Sequence, residues 1–146
     1  PTQEVKQDVP CEVLPQQYCS QGKLVDWKDP NGTAYKFITF NLPDGTPVLA
    51  PFKGDFYPNP TGEGNPLKAP TISLADPSGN YKGSFIIMGD ISFDNQQHPV
   101  NKGDTIGYVR NTGINVFNSN IALTFISSQG PDEQMLEQNF PYLFQK

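Results

Sequence analysis

The sequence predicts an all-β fold, a single domain of short strands arranged as a sandwich or a barrel. Its length of 146 residues suits one domain. Fifteen prolines and thirteen glycines divide the chain into short segments, and ten Phe, six Tyr and many β-branched residues lie between them. Turn signals recur at short intervals, as they do in β-sandwiches and barrels.

The first strands are predicted on both sides of a turn. Lys23–Lys28 alternates in polarity, and residues 33–40 are rich in β-branched and aromatic side chains. The Asp-Pro-Asn-Gly turn at 29–32 therefore predicts a hairpin, and its Asn-Gly pair favours a primed turn type. Further apolar strands are predicted at 71–75, 83–89 and 120–127.

One long loop and one short helix complete the prediction. Residues 58–70 are rich in Pro and Gly and form an irregular loop of a length that is usually functional or mobile. The helix is predicted over 131–138. Pro131 lies in its first turn, and Asp132 and Glu133 suit the positive end of the helix dipole.

The N-terminal region predicts a linker followed by a disulfide loop. Residues 1–10 are polar and are interpreted as a linker, and residues 11–146 as one β domain. Cys11 and Cys19 are predicted to close a loop over residues 11–22, which implies an oxidising, extracytoplasmic compartment. Two free thiols are the alternative. Since the chain begins with Pro rather than Met, a removed signal peptide, lipoprotein signal or membrane anchor is an open expectation.

Charge and hydropathy exclude several partners. The formal net charge is −5 and no basic run occurs, which argues against binding of nucleic acid or adsorption to an anionic membrane. No segment approaches the roughly 20 apolar residues that a membrane-spanning helix needs.

Three segments, and a fourth more weakly, resemble a known family. Residues 43–56 (PDGTPVLAPFKGDF) are similar to P-x-G-T-P-V-x-A-x-x-x-G-x-V, and residues 100–113 (VNKGDTIGYVRNTG) to V-x-x-G-D-x-I-G-x-V-G-x-T-G. Residues 122–125 (ALTF) lie where the family has H-L-H-F, and residues 139–143 (NFPYL) resemble its closing N-P-x-P-Y-L. The family is the LytM/lysostaphin-type zinc endopeptidases, which cut peptidoglycan cross-bridges. The resemblance implies a bacterial cell-envelope protein with a barrel-sandwich hybrid or LytM-like β-sandwich and one short C-terminal helix.

The pattern of the second segment also occurs in biotinyl and lipoyl carrier domains. Those domains need a modifiable lysine in a hairpin turn, typically after Met. Here Gly89 follows Met88 and Leu136 follows Met135, so the carrier interpretation fails at its key residue. The motif glycines are predicted at tight reversals or positive φ; they are Gly45, Gly54, Gly103, Gly107 and Gly113.

The resemblance implies a zinc site whose residues are missing from this chain. The enzymes hold zinc with three protein ligands and an open position for water, and use two further histidines for proton transfer and the oxyanion. Aligned on Gly45, none of the five positions keeps its residue. They are occupied here by Tyr35, Thr39, Asp90, Ala122 and Thr124. The resemblance therefore implies a non-catalytic domain without metal or cofactor.

Other chemistry has weaker support. His98 is the single histidine and is predicted to be a solvated loop residue rather than a ligand. No G-x-S-x-G motif is present. Two of the carboxylates of Asp55, Asp90 and Asp94 could form the catalytic pair of a glycosidase, but acidic loop residues are usually solvated. The hairpin turn explains the Asn-Gly-Thr sequence at 31–33 better than glycosylation does.

The resemblance implies a binding or regulatory function, with peptidoglycan or a cell-wall hydrolase as partner. The five substituted positions would line the former substrate recess, where Trp27, Tyr35 and Tyr57 could stack on sugar or peptide. For Trp27, burial statistics favour a place in the core. A structural module of a larger envelope protein is one alternative, and an active endopeptidase with a relocated site is another.

Overall fold

The computed structural model describes residues 11–76 and 83–144 and shows an all-β protein with one short C-terminal helix. The predicted linker at 1–10 and most of the turn at 76–79 lie outside these residues. The elements are β1 (Lys23–Lys28), β2 (Ala34–Phe40), β3 (Pro47–Leu49), β4 (Gly54–Asn59), β5 (Thr71–Ala75), β6 (Gly83–Gly89), β7 (Ile91–Ser92), β8 (His98–Val100), β9 (Thr105–Val109), β10 (Ile121–Ser127), β11 (Gly130–Pro131), α1 (Glu133–Asn139), and 3-10 segments at Gln16–Gln21 and Pro141–Phe144.

The strands form two antiparallel sheets. The large sheet has the order β1-β2-β10-β6-β5-β4-β8, with β11 paired to β10, and the small sheet has the order β3-β9-β7. Within the described ranges neither sheet closes into a barrel. The segments 43–56 and 100–113 pair with each other in both sheets, because β3 pairs with β9 and β4 with β8.

The predicted hairpin of β1 and β2 is confirmed, but its turn type is not the primed one. Only Gly32 has a positive φ in this turn, at +89°, whereas Asn31 does not. The N–H of Gly32 donates to the carbonyl of Asp29 at 2.9 Å. Pro30 has a fixed negative φ, which suits the second position of an ordinary turn that starts at Asp29. The left-handed conformation therefore falls on Gly32, the fourth residue of the turn that starts at Asp29.

The main core lies between the inner face of the large sheet and the small sheet. Alternate residues of the central strands face inward, as the period of two in a strand requires. Burial of this apolar surface is the main stabilising term. The largest fully buried side chains are Phe40, Phe56, Phe85, Phe125, Ile38, Ile72, Leu74, Ile87, Ile121, Leu123, Leu136 and Val13.

The N-terminal loop is part of this core. The predicted disulfide is confirmed, and it joins Cys11 and Cys19 with their Cα atoms 5.6 Å apart. Val13 and Leu14 are buried between the two cysteines. The N–H of Leu49 in β3 donates to the carbonyl of Val13 at 2.8 Å. The disulfide therefore holds an irregular segment against the small sheet.

The short C-terminal helix is confirmed, but Pro131 is not in its first turn. Asp132 is the N-cap, and its carboxylate accepts a hydrogen bond from the N–H of Met135 at 3.0 Å. Pro131 precedes the cap and pairs with Ile126 in the two-residue edge strand β11, where a proline is tolerated. No helix in the described ranges has the length and apolar character to cross a bilayer.

Two of the motif glycines are required by close packing rather than by positive φ. A Cβ atom on Gly54 would overlap the carbonyl of Ala75 in the neighbouring strand. A Cβ atom on Gly107 would lie 3.0 Å from Cδ1 of Ile72, across the gap between the two sheets. The expectation of tight reversals is wrong at these two positions, which lie inside strands.

Candidate functional site

Four of the five substituted positions share the outer face of the large sheet, opposite the main core. Thr39 in β2 is directly opposite Ala122 in β10. Tyr35 lies four residues before Thr39, and Thr124 two residues after Ala122, so both pairs share a face. The structure thus brings together side chains that are distant in sequence.

Asp90 follows the last residue of β6 and is 3% exposed. Its carboxylate accepts hydrogen bonds from the hydroxyl of Thr112 at 2.6 Å, from the N–H of Thr112, and from the N–H of Gly113 at 3.1 Å. Burial alone would raise the pKa of the Asp90 carboxyl. These hydrogen bonds, with one from the N–H of Ile114, together lower the pKa by more, so it lies below the ordinary value. Asp90 therefore anchors the loop before β10.

A second apolar cluster covers part of the outer face. Thr39 and Ala122 are buried, at 3% and 0% exposure, and are not open to a ligand. The buried members of the cluster are Phe37, Ala69, Met88, Val116 and Ala122, and Trp27, Tyr35, Leu67, Ile86 and Phe117 pack against them.

Phe117 reaches this cluster from a tight turn. The N–H of Val116 donates to the carbonyl of Ser119 at 2.7 Å, and Phe117 and Asn118 between them have φ values of +54° and +63°. The Phe117 ring lies 5.4 Å from the Phe37 ring, centroid to centroid. A bulky residue in the left-handed region is strained by about 1–3 kcal/mol, so packing must hold it there.

An open groove of about 280 Å³ lies beside the second cluster. Trp27, Tyr35 and Phe37 line one side, and the loop after β4 lines the other. Thr124 also lines the groove, so two of the five substituted positions border it. The sequence favoured a core place for Trp27, but this side chain is only partly buried and lies in the groove wall.

The predicted long loop at 58–70 forms the second wall. Its first two residues belong to β4, and the remainder has no strand or helix. The amide nitrogen of Asn65 donates to the hydroxyl of Thr71 at 2.8 Å, and its amide oxygen accepts from the N–H of Leu67 at 2.9 Å. Asn65 therefore ties the loop to β5.

The ionisable groups of the groove are acidic. Its charged lining residues are Asp29 and Glu63. Burial and the carboxylate of Asp29, which accepts a hydrogen bond from the Tyr35 hydroxyl, raise the pKa of Tyr35. A second depression of about 480 Å³ shares Trp27, Tyr35 and Thr124 with the groove. The two together form an extended recess along the β1–β2 hairpin.

His98 lies away from the groove, at the start of β8. It is a partly exposed strand residue rather than the predicted solvated loop residue. Its ring lies 4.7 Å from the ring of Phe56, and its Nδ1 atom is 2.7 Å from the carbonyl oxygen of Gln96. No group of three His, Cys, Asp or Glu side chains suited to a metal ion occurs among residues 11–76 and 83–144.

Comparison with known protein families and with curated proteins finds no match for this chain. The geometry of the site therefore carries the functional argument. Sequence reasoning missed several residues that shape the recess, because they lie in loops without periodic patterns. They are Asp29, Glu63, Asn65 and Phe117.

Proposed function

We propose that this chain is a non-catalytic, LytM-like domain of the bacterial cell envelope that binds peptidoglycan. One observation carries the proposal. Four of the positions where LytM enzymes have zinc-binding or catalytic residues share one sheet face, and two of them, Tyr35 and Thr124, border an open groove. The resemblance places the active site of the enzymes on this face, and the side chains present here suit binding rather than metal catalysis.

The residues at these positions have other uses in this chain. Ala122 offers no ligand atom, and Thr39 is buried. The hydroxyl of Thr124 donates to the carbonyl of Lys36 at 2.8 Å. The carboxylate of Asp90 is occupied by the loop at Thr112. A hydrolytic zinc site needs three converging ligands and an open position for water, so these side chains argue against hydrolysis at this face.

The groove has properties typical of a binding site. Aromatic rings line it and supply large apolar contact area, and a few polar groups lie between them. Trp27 and Tyr35 pack with their ring centroids 5.6 Å apart, which makes this wall a fixed surface. Sugar rings and peptide backbones both stack well on such surfaces.

Two further observations support the assignment to the cell envelope. The segments 43–56 and 100–113, which carry the resemblance, pair with each other in both sheets. The disulfide between Cys11 and Cys19 is of the kind that persists outside the cytoplasm.

The proposal is tested by co-sedimentation of the purified protein with isolated peptidoglycan sacculi, followed by analysis of the supernatant for released muropeptides. We expect the protein to sediment with the sacculi and to release none, with or without added zinc. The variant Trp27→Ala should sediment at least several-fold less, because it removes the largest aromatic surface of the groove.

A matched control is Tyr108→Ala, which removes an exposed aromatic side chain from the small sheet. It should sediment like the wild type, and circular dichroism should show both variants folded. Absence of sedimentation, or equal losses for both variants, would overturn binding at the groove. Zinc-dependent release of muropeptides would overturn the non-catalytic assignment.

A further inference from the structure

The charges in the groove beside the second cluster point to the chemistry of its ligand. Asp29 and Glu63 line the groove, and no lysine or arginine of the described residues lines it with them. Lys68, in the same loop, does not line the groove but lines a neighbouring depression that Glu63 also borders. The chain as a whole has a formal net charge of −5, which favours approach of a cation.

The two carboxylates differ in how they are held. One oxygen of Asp29 accepts hydrogen bonds from the N–H of Asn31 at 2.9 Å and of Thr33 at 2.8 Å, so this carboxylate is fixed by its own hairpin loop. Glu63 is exposed, and within the described residues its carboxylate has no hydrogen bond or ion pair. The groove thus has one positioned anion and one adaptable anion.

Aromatic side chains occupy the space next to these anions. Trp27 and Tyr35 line the same groove, and Phe37 and Phe117 support Trp27 at centroid distances of 6.0 and 6.3 Å. Aromatic faces attract cations, and tryptophan does so most strongly. Aromatic rings combined with carboxylates are suited to an ammonium group rather than to an anion.

The shape of the recess favours a peptide over a small molecule. The groove of about 280 Å³ and the depression of about 480 Å³ share Trp27, Tyr35 and Thr124 in their linings. The depression adds carboxylates at Asp26, Asp132 and Glu133, together with the amines of Lys28 and Lys36. The Lys36 amine pairs with Asp26 at 2.7 Å. A peptide placed along both would meet acidic groups on either side of the aromatic pair, and lysines only on the side of the depression.

From this juxtaposition we infer that the groove recognises a peptide that carries a protonated primary amine, with the ammonium group beside Trp27 and within reach of Asp29 and Glu63. The inference rests on the proposed function and makes it more specific. The ligand within peptidoglycan is then a stem peptide with a free side-chain amine, rather than the glycan strand.

The test measures binding of a synthetic stem peptide with a free lysine amine, and of the same peptide acetylated on that amine, by isothermal titration calorimetry. The free amine should bind about tenfold or more tightly than the acetylated peptide, since acetylation removes the charge and its charge-assisted hydrogen bonds. Raising the ionic strength should weaken binding of the peptide with the free amine but not of the acetylated peptide, because salt screens charge interactions in a groove that is partly open to solvent.

The variants Glu63→Gln and Asp29→Asn should each reduce this preference several-fold. Glu137→Gln is the matched control, because Glu137 is an exposed carboxylate on α1 that does not line the groove. It should leave the preference unchanged. Since Asn retains the oxygen that accepts from the hairpin loop, Asp29→Asn should still fold, and Glu63→Gln changes only an exposed side chain.

The outcomes separate the two proposals. If the protein sediments with sacculi but binds both peptides equally, the amine inference is wrong and the binding function stands. If it binds neither sacculi nor peptide, the proposed function is wrong as well. If the preference persists in both groove variants, the ammonium group binds elsewhere and the site assignment is wrong.

Discussion

The two faces of the large sheet are built by different means. The inner face is covered by the small sheet and filled with Phe, Ile and Leu side chains at or near zero exposure. The outer face is covered only in part, by a turn and a loop that place Phe117 and Leu67 on it, and its remaining space is a groove. Sheet-to-sheet packing closes one face, whereas loop packing leaves the other available to a ligand.

This difference shows where the free energy of folding resides. Inner-face side chains alternate with outer-face ones along the same strands, so both faces have the same backbone support. Removal of an inner-face side chain leaves a cavity that other strands surround. Removal of an outer-face side chain enlarges a space that solvent already reaches.

The largest expected effect is that of Phe85→Ala on the inner face. Phe85 is 0% exposed and its ring lies 5.2 Å from that of Phe125, centroid to centroid. The free energy of unfolding, measured by urea denaturation, should fall by about 3–5 kcal/mol. On the outer face, Phe117→Gly should cost about 1 kcal/mol or less, because relief of the left-handed strain offsets part of the lost contact. Equal losses would mean that both faces are core.

A smaller effect is expected from Asp90→Asn, which weakens the anchor of the loop that carries Phe117. The free energy of unfolding should fall by about 1–3 kcal/mol at neutral pH, because a partly buried N–H group of Thr112 or Gly113 loses its charged acceptor. Urea denaturation across pH 2–7 is the measurement, with Glu137→Gln as a control that should match the wild type.

The pH dependence of this variant has a definite sign. The pKa of Asp90 is lowered in the folded state. Its stabilising contribution is therefore complete above the unfolded-state pKa of about 3.9 and is lost as the pH falls through the lower folded-state pKa. The gap between wild type and Asp90→Asn should narrow only in this acidic range. A gap that is constant from pH 7 to pH 2 would show that folding does not lower the pKa of Asp90.

An effect smaller than that of Asp90→Asn is expected from Thr124→Val at the border of the groove. Thr124 is 2% exposed, and its hydroxyl donates to the carbonyl of Lys36. Loss of this hydrogen bond should lower the free energy of unfolding by about 1 kcal/mol. Thr105→Val, at an exposed position in β9, is the control and should change it by less than about 0.5 kcal/mol. A neutral Thr124→Val would show that this hydrogen bond does not stabilise the fold.

Most of the strands could be predicted from the sequence, but the groove could not. The prediction gave the bounds of β5 and β6 correctly, at Thr71–Ala75 and Gly83–Gly89, because turn residues bracket apolar runs there. The disulfide followed from two cysteines at close spacing. The inner face could be inferred from alternation, since each strand repeats the same local signal.

The groove depends on contacts that no local pattern encodes. Phe117 packs against Trp27, from which it is distant in sequence. The turn that carries Phe117 has a Phe-Asn pair at positive φ instead of the usual Asn-Gly. The Asn-Gly pair at residues 31–32, which does carry that signal, adopts a different turn because Pro30 precedes it. At both turns the preferences of the two central residues did not predict the turn type, because neighbouring residues and packing determined the backbone conformation.

The second cluster also limits what this surface can become. Ala122 is buried in this cluster with Val116 and Phe37, and Thr39, directly opposite Ala122 in the sheet, is also buried. A histidine introduced at either position would overpack the cluster before it could meet a metal ion, at a cost of about 1–3 kcal/mol for each added side chain. Zinc ligands introduced one at a time at these positions would therefore lower stability at every step. The loop at 111–119 would have to be remade before this face could hold a metal ion.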